Sequence, residues 1–365
     1  MDSSAVDAGI LQRSRSASIR TTAAFMSMRR TNNHFRPSSF IRRSLLVMLC
    51  AALGQSICVA QESAPLWVFP LTTGAKVPAA APESHTLPGS TRSFTQAQLL
   101  DRTVAVDWYP TDHPAMPAVV RGGGTAAACG FCHLPEGQGR PENAALAGLP
   151  YAYLLRQITD MKAGARKLLD PRFTPGALML QTASHIGDAD AEQAARYFSG
   201  LRFTKRLKVI EAASVPSFRA QGFVYVFDAS GPRQPLGERI IEGPDDFSRF
   251  EERDNRVSYT AYVPVGAIAR GANLAKGDGK SRQPCVTCHG LGLRGGPIGP
   301  PLAGRSPTGI LRQLYAFRLG TRSGANAALM QPIVASLTPP DMLALAAYAG
   351  SLPSSEKAAV HKQAR

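Results

Sequence analysis

Two short runs of the sequence place two cysteines and a histidine in the same order and at the same spacing. They read Cys129-Gly-Phe-Cys132-His133 and Cys285-Val-Thr-Cys288-His289. Cysteines two residues apart, with a histidine directly after the second, form the pattern that attaches haem c covalently through thioether bonds. The histidine then serves as the proximal ligand of the iron. The sequence therefore predicts two covalently bound haem c groups, each with the histidine of its run as an axial ligand.

A zinc site is the alternative for such cysteine pairs. Adjacent Cys and His side chains would crowd one tetrahedral ion, and the two runs lie far apart in the sequence, so zinc is disfavoured. Of the six cysteines, Cys50 and Cys58 lie in an N-terminal leader, and the other four belong to the two runs. The sequence after the leader therefore offers no further pair for a disulfide.

The sequence after each run repeats at a constant distance. The matching segments, all 156 residues apart, are Leu146-Ala-Gly with Leu302-Ala-Gly, Leu155-Arg-Gln-Ile with Leu311-Arg-Gln-Leu, and Gly164-Ala-Arg with Gly320-Thr-Arg. Further along, the distance falls to 151, where Met179 matches Met330 and Tyr197 matches Tyr348. This pattern is an internal repeat at the scale of a domain, with five extra residues in a Pro- and Gly-containing loop of the first copy.

The repeat also selects candidates for the second axial ligand. A His-ligated haem iron in an electron-transfer protein commonly takes a Met thioether on its other side. Met179 and Met330 are the methionines that the repeat pairs, so they are the predicted distal ligands. Met161 pairs with Phe317, and a position that accepts either Met or Phe is typical of core packing. Core packing is also the alternative for Met179 and Met330, because Met fills irregular spaces readily.

Other methionines and histidines fit the ligand role less well. His185 is the main competitor on the first distal side, but its counterpart is Ser336, which favours a surface histidine. Ligation of one haem by two histidines is a disfavoured alternative. The remaining candidates lie upstream of a motif, in the tail, in the leader or opposite a Glu, and they are Met116, His85, His113, His361, His34 and Met342.

An apolar run at residues 44–54 follows Arg42 and Arg43 near the N-terminus. It is too short to span a bilayer, and the small residues that end at Ala60 suit cleavage by signal peptidase. The sequence therefore predicts a secretory signal peptide cut after Ala60, export to the periplasm, and no stable membrane span after cleavage. The segment before the apolar run is long and rich in Ser and Arg, so Met26 or Met28 is an alternative start.

The chain has a formal net charge of +15, and residues 1–60 hold eight Arg and two acidic residues. Residues 61–365 therefore carry 33 basic and 24 acidic side chains, a formal net charge of +9. This surplus predicts redox protein partners with acidic docking surfaces, approached by an electrostatic steering that salt weakens. Export, together with the lack of a recognisable nucleic-acid-binding fold, argues against nucleic acid as a partner.

The sequence divides into six segments. They are a leader with the signal peptide (1–60), an extended arm (61–95), a first haem c domain (96–203), a β-containing bridging segment (204–264), a second haem c domain (265–355) and a tail (356–365). Within the bridging segment, runs of β-branched and aromatic residues predict strands at 205–210, 222–227, 239–242 and 257–263, around a short helix near 244–253. Further helices are predicted at 188–199, 265–276, 311–319 and 339–351. Bridging the haem domains is favoured for 204–264 over docking of a partner.

The order Cys-x-x-Cys-His, Leu-Ala-Gly, Leu-Arg-Gln, Gly-x-Arg, Met and Ala-x-Tyr resembles the small class I cytochromes c. Its duplication resembles the tandem dihaem carriers of the bacterial periplasm, over residues 129–200 and 265–352. The resemblance implies a mainly all-α fold with two class I cytochrome c domains in tandem. It also implies one exposed haem edge per domain and haems that face each other across the domain interface. The 204–264 insert departs from that family pattern and disfavours direct contact between the haems, because it separates the repeats by more than a short linker.

Two His/Met-ligated haems without an open coordination site pass single electrons and bind no substrate. The sequence therefore predicts an electron-transfer protein rather than an enzyme, which relays electrons between a dehydrogenase or quinol-oxidising complex and an acceptor. The alternatives are a dihaem cytochrome c peroxidase and a dedicated cytochrome subunit of a dehydrogenase complex. A peroxidase needs two different distal environments, whereas Met and Tyr recur here at identical spacing. A haem-based sensor is a third possibility, for which the sequence shows no recognisable signalling domain.

Overall fold

The computed structural model describes residues 63–72, 83–278 and 283–354. These described residues group as one compact unit. The predicted signal peptide and its cleavage site after Ala60 lie outside the described residues. Within those residues, no helix is both long and apolar enough to cross a membrane.

The segment before the first motif contains short elements that pack onto the rest of the chain. A 3-10 turn at Leu66–Val68 buries Val68 in the largest hydrophobic cluster. Strands β1 (Ser84–Thr86) and β2 (Ser93–Thr95) form an antiparallel hairpin, and helix α1 (Gln96–Leu100) follows it. Thr95 closes a capping box with Gln98 at the start of α1, which satisfies backbone N–H groups that the helix cannot pair.

The first repeat consists of five helices. They are α2 (Ala118–Arg121), α3 (Cys129–His133), α4 (Tyr151–Lys162), α5 (Thr174–His185) and α6 (Asp188–Gly200). Helix α6 buries Ala191, Ala194, Ala195 and Phe198, a spacing that gives a helix one apolar face, and α6 packs against α4. The helix predicted at 188–199 is confirmed, and the predicted loop after residue 166 ends where Pro175 enters the first turn of α5, a position that suits proline.

The insert is built mainly of strands. They are β3 (Leu207–Glu211), β4 (Ser214–Val215), β5 (Ser217–Gln221), β6 (Val224–Asp228), β7 (Gln234–Pro235), β8 (Ile241–Pro244) and β9 (Tyr259–Val263), with helix α7 (Phe247–Glu251) between the last two. Strand β9 lies between β3 and β8, parallel to the former and antiparallel to the latter. The four strands and the short helix predicted in this segment are confirmed, with small differences at their ends.

The parallel pairing of β3 with β9 determines how far the insert separates the repeats. Leu207 lies opposite Tyr259, and Glu211 lies opposite Val263. The chain therefore enters the insert beside the strand by which it leaves, and it advances by only about 17 Å, the length of one five-residue strand. The second repeat begins directly after β9, so the insert separates the repeats in sequence far more than in space.

The second repeat contains α8 (Ala267–Ala275), α9 (Val286–His289), α10 (Pro307–Arg318), α11 (Gln331–Ala335) and α12 (Pro339–Ser351). Helix α8 crosses α12 at close range, because a Cβ added at Gly271 would lie 2.0 Å from the Ala344 carbonyl oxygen. Thr338 forms a capping box with Asp341 at the start of α12. The helices predicted at 265–276, 311–319 and 339–351 are confirmed, with small differences at their ends.

In the structure, the two repeats contact each other directly despite the insert. Arg166 and Arg322 form an isolated antiparallel β-bridge between the loops that follow α4 and α10. The Lys167 N–H donates to the Thr321 carbonyl and the Ser323 N–H donates to the Ala165 carbonyl, both at 2.7 Å. Equivalent loops of the two copies therefore meet across an approximate two-fold relationship.

Candidate functional site

The two motif histidines have the same orientation. In each copy, Nδ1 of the imidazole lies 2.8 Å from a backbone carbonyl oxygen eleven residues further on, Ala144 for His133 and Pro300 for His289. Such a bond fixes the ring and makes Nδ1 the protonated nitrogen, which leaves Nε2 as the nitrogen that can bind a metal. Both carbonyls belong to the loop between Cys-x-x-Cys-His and Leu-Ala-Gly, so the repeat conserves the histidine together with its orienting group.

Burial lowers the pKa of both histidines from the ordinary value, although the bonds to Ala144 and Pro300 partly oppose the change. A lowered pKa favours the neutral imidazole, which is the form that binds metals. His133 is buried and packs edge-on against Phe198 of α6, with the ring centres 6.2 Å apart. Its position is therefore determined by the core of the first repeat as well as by the hydrogen bond.

The first site opens into a cavity of about 990 Å³. Its lining brings together four residues singled out from the sequence, namely Cys129, Cys132, His133 and Met179. Both sulfurs are unpaired thiols, and the volume is in the range of small-molecule and cofactor pockets. Met161 and His185, the two competitors for the distal position, line the same cavity. The cavity is therefore large enough for a large cofactor. Its lining contains all three candidate distal ligands, Met179, Met161 and His185, so it does not distinguish among them.

The second site is formed by α9 and the Gly-rich loop that follows it. The Gly295 N–H donates to the His289 carbonyl at 2.7 Å, and the Gly299 N–H donates to the Cys288 carbonyl at 3.0 Å. A Cβ added at Gly299 would lie 2.8 Å from His289 Nδ1, so glycine allows this close approach. Met330 lies at the start of α11 and packs against the largest hydrophobic cluster.

Four arginines lie between the two repeats. The repeated segments of the sequence contain three of them, Arg166 and Arg322 in the Gly-x-Arg triplets and Arg312 in Leu-Arg-Gln, and do not contain Arg305. Arg312 and Arg322 are buried, while Arg166 and Arg305 are half-buried. They donate hydrogen bonds to neutral acceptors. Arg305 and Arg312 donate to backbone carbonyls, and Arg166 and Arg322 donate to amide or phenol oxygens. Among the described residues, none of the four forms a salt bridge.

The charge of these four arginines is one criterion for whether the site fits haem. Burial, and then the charge of Arg322, lower the pKa of Arg166 to about 10, so the guanidinium remains protonated at pH 7. Buried cations are stable when an anion compensates them. Arg166, Arg305 and Arg312 line the large cavity. A cofactor with carboxylates, such as the haem propionates, is the kind of group that this donor set fits.

The insert contributes side chains to the surroundings of the first motif. Arg253 places its guanidinium carbon 3.3 Å from the centre of the Phe131 ring and donates to the Phe131 carbonyl at 2.8 Å. Glu136 is buried and accepts hydrogen bonds from Arg206 at 3.0 Å and from Asn255 at 2.8 Å. Sequence reasoning missed Arg206, Arg253 and Asn255, because the insert belongs to neither copy of the repeat.

Comparisons with known proteins identify the family. No protein-family model matches the chain. Cytochrome c-554(548) of Halomonas halodenitrificans is 44% identical over 68 residues, which are 18% of this chain and 82% of that protein. The chain belongs to the cytochrome c family.

Longer matches cover about three fifths of this cytochrome. Cytochrome c4 of Pseudomonas aeruginosa is 26% identical over 228 residues, 61% of this chain and 83% of that protein. The thiosulfate dehydrogenase electron acceptor of Thiomonas intermedia is 28% identical over 236 residues, 63% of this chain and 81% of that protein. This chain is a tandem dihaem class I cytochrome c with two covalently bound haem c groups. The mainly helical fold and the electron-transfer role expected from the sequence are confirmed, and the zinc alternative is rejected.

Proposed function

We propose that this cytochrome relays single electrons through two His/Met-ligated haems, in the periplasm, between a dehydrogenase or quinol-oxidising complex and an acceptor. The observation that carries the proposal is the identical orientation of His133 and His289. Each presents Nε2 while a carbonyl 2.8 Å away holds Nδ1. Two equivalent proximal ligands favour two sites of the same kind, as expected for a relay.

Each site has a proposed set of attachment and ligand residues. Cys129 and Cys132 attach the first haem, and Cys285 and Cys288 attach the second. His133 and Met179 are the axial ligands in the first domain. His289 and Met330 are the axial ligands in the second domain. The common cavity of Cys129, Cys132, His133 and Met179 supports the first set, and the internal repeat supports the second.

When bound, haem c supplies a one-electron iron couple. The protein's own residues orient the proximal imidazoles, surround the first site with apolar side chains and compensate negative charge. We assign that last role to Arg166, Arg305, Arg312 and Arg322, because cations between the repeats are stabilised by the carboxylates of a bound cofactor. Because these four cations lie at the domain boundary, they compensate negative charge near both sites.

The insert acts as a brace between the domains in this proposal. Towards the first domain, Asn255 and Arg206 hold the buried Glu136. Towards the second domain, Glu242 accepts hydrogen bonds from the Ser306 hydroxyl at 2.8 Å and from the Thr308 N–H at 3.1 Å. A carboxylate at the N-terminus of α10 interacts favourably with the helix dipole. Contacts of this kind on both sides support bridging.

The predicted signal peptide, cut after Ala60, supports the periplasm as the compartment. The net charge of +9 on residues 61–365 supports redox partners with acidic docking surfaces. A dedicated cytochrome subunit of a dehydrogenase is the second candidate function. Its specific support is that two relatives, at 28% and 25% identity, are named thiosulfate dehydrogenase electron acceptors.

Spectroscopy and peroxide turnover test the relay. We expect reduced-minus-oxidised spectra of two c-type haems, the near-infrared Met–iron band at two equivalents, and negligible turnover of hydrogen peroxide. A band at only one equivalent would show that Met179 or Met330 is not an axial ligand. Rapid peroxide turnover by the untreated protein would establish the peroxidase alternative. A pull-down from periplasm at low salt then identifies the donor or acceptor.

A further inference from the structure

One arginine side chain connects the two loops that orient the proximal histidines. Arg305 directly follows Leu-Ala-Gly of the second copy, and its Nε donates to the Pro301 carbonyl at 3.0 Å. Its two terminal nitrogens donate to carbonyls of the first copy, Ala145 at 2.7 Å and Ala147 at 2.9 Å. A single guanidinium therefore joins equivalent loops of the two domains.

In the first domain, Arg305 holds the peptide unit next to the one that orients the histidine. His133 Nδ1 lies 2.8 Å from the Ala144 carbonyl oxygen, and Ala145 is the next residue. Neighbouring peptide units are planar and meet at one Cα, so only the φ and ψ of Ala145 can turn one of them relative to the other. A hydrogen bond that holds the Ala145 carbonyl therefore restricts the Ala144 carbonyl, and with it the His133 ring.

The second domain has a proline at the equivalent place. His289 Nδ1 lies 2.8 Å from the Pro300 carbonyl oxygen, and Pro301 stands where the first copy has Ala145. The proline ring fixes φ of Pro301, which leaves one backbone rotation instead of two beside the orienting carbonyl. The first loop lacks this restriction, and it receives two of the three bonds that Arg305 donates. The orientation of the first histidine therefore depends more on the arginine than that of the second does.

The equivalent position of the first copy carries a different side chain. It is Leu149, 156 residues before Arg305. The two residues lie in the same kind of turn, because the Leu149 N–H donates to the Leu146 carbonyl at 3.1 Å and the Arg305 N–H donates to the Leu302 carbonyl at 3.2 Å. Leu149 is buried in the apolar core of the first repeat. The side chain that holds the first loop therefore comes from the other domain.

The guanidinium suits three fixed acceptors. Its central carbon lies 4.3 Å from the centre of the Phe203 ring, which supports its flat face. Burial lowers the pKa of Arg305 to about 10, so the group remains protonated at pH 7, and a charged donor forms stronger hydrogen bonds than a neutral one. A lysine at this position would keep the charge, but it lacks the planar fork that meets several acceptors at fixed angles.

We propose that Arg305 of the second domain is the positioning residue for the proximal histidine of the first domain. It holds the loop whose Ala144 carbonyl orients His133, and it is anchored at Pro301, beside the carbonyl that orients His289. The proposal rests on the proposed relay, in which both histidines are iron ligands. It makes the geometry of the first site depend on the second domain.

Proton exchange in the holoprotein tests this role. The ascorbate-reduced protein is transferred to D2O, and exchange of the two Nδ1 protons is followed by NMR, with His133 identified by its contact with Phe198. We expect R305K to speed exchange about tenfold at His133 and to leave His289 within about twofold of the wild type, because exchange reports local opening. R305K should also raise the midpoint potential of the first haem, since a weaker bond at Nδ1 makes the imidazole a less basic ligand while the charge is unchanged.

Two further variants separate positioning from general damage to the boundary. R322K is the matched control, because Arg322 is a buried cation of the same boundary that donates to side-chain oxygens instead of loop carbonyls. We expect it to leave exchange at both histidines within about twofold of the wild type. A145P gives the first loop the proline of the second, so R305K/A145P should bind both haems and exchange at His133 as slowly as the wild type, even if R305K alone takes up haem poorly.

Three results would overturn the role of Arg305. They are wild-type exchange at His133 in R305K, equal acceleration in R322K, and fast exchange that persists in R305K/A145P. Oxidation of the wild type by ferricyanide separates this proposal from the relay. If both haems are oxidised normally while R305K changes nothing, only the positioning role fails; if the haems do not exchange electrons with ferricyanide, the relay itself fails.

Discussion

Arg166 and Arg322 occupy equivalent positions in the two repeats, and their backbones pair with each other across the domain boundary. Their side chains also share the same two hydrogen-bond acceptors. Arg166 donates to Gln157 of its own repeat and to Gln313 of the other, and Arg322 does the converse. Because each Arg bonds the same pair of Gln residues, the boundary is self-complementary, as in a two-fold dimer.

This relationship predicts that two substitutions 156 residues apart in the sequence lower the free energy of unfolding by the same amount. R166M and R322M each leave glutamine oxygens at the boundary without their donors. We expect each to lower the free energy of unfolding of the holoprotein by about 2 kcal/mol. The double variant should lose less than the sum, because either single change relieves the repulsion between the two cations. Denaturant unfolding of the four proteins measures this coupling.

An exposed arginine gives the control for this measurement. Arg196 pairs with Glu192 on the surface of α6, at 3.4 Å and one helical turn away, and R196M should cost less than about 0.5 kcal/mol. If either boundary variant is no less stable than R196M, the hydrogen bonds of Arg166 and Arg322 to the two glutamines do not hold the domains together.

The sequence predicts this boundary in part. The 156-residue spacing pairs Arg166 with Arg322 and Gln157 with Gln313, and the Thr338 cap and apolar spacing predict helices such as α12. That equivalent residues meet does not follow from the spacing. It depends on the pairing of β3 with β9, which is set by backbone hydrogen bonds between residues about fifty positions apart.

Contacts made by the insert are likewise invisible in the sequence. Arg253 and Asn255 lie in a turn whose sequence has no counterpart in the repeat and no periodic pattern of hydrophobic residues. Arg253 reaches Phe131 only because the turn after α7 adopts a positive φ of 59° at this residue. Side chains from such a segment acquire their partners from tertiary packing. The cysteines and histidines are predictable for the opposite reason, since their chemistry requires one local spacing.

Replacing Met179 should open the first haem. M179A removes the proposed thioether ligand, and we expect loss of one equivalent of the near-infrared Met–iron band together with binding of one carbon monoxide per protein. M330A should do the same in the second domain. M161A is the matched control for the first domain, because Met161 lines the same cavity. If M161A loses the band and M179A keeps it, the assignment of the two methionines is reversed.

Glu136 should make stability depend on pH. Burial raises the pKa of its carboxyl to about 7, even though Arg206, Asn255 and His113 act in the opposite direction. The folded state therefore holds a proton that the unfolded chain releases near pH 4.5. The contribution of Glu136 to stability is full below pH 4.5 and is lost as pH rises towards 7, by at most about 3 kcal/mol.

The difference in unfolding free energy between wild type and E136Q isolates this contribution. It should shift in favour of E136Q as pH rises from 5 to 8, because glutamine does not titrate. E192Q, at an exposed glutamate of α6, should show a constant difference from the wild type over the same range. A constant difference for E136Q as well would mean that Glu136 is already ionised at pH 5.

Arg253 should tune the first haem selectively. Its guanidinium lies against Phe131, between the two cysteines of the first motif, and a nearby positive charge favours the reduced, less positive state of an iron centre. R253M should therefore lower the midpoint potential of the first haem by about 50 mV, the size expected for one charge at about 10 Å in a partly polar interior. The potential of the second haem should stay unchanged, because the insert covers only the first motif. Redox titration measures both potentials, with the first haem identified by its altered signal in M179A.

R270M is the control for this prediction. It removes an exposed arginine that pairs with Asp341 in the second domain, and it should shift neither potential by more than about 10 mV, since exposed charges are screened. Equal shifts of both haems in R253M would mean that the charge acts through the whole protein and that covering the first motif does not set its potential.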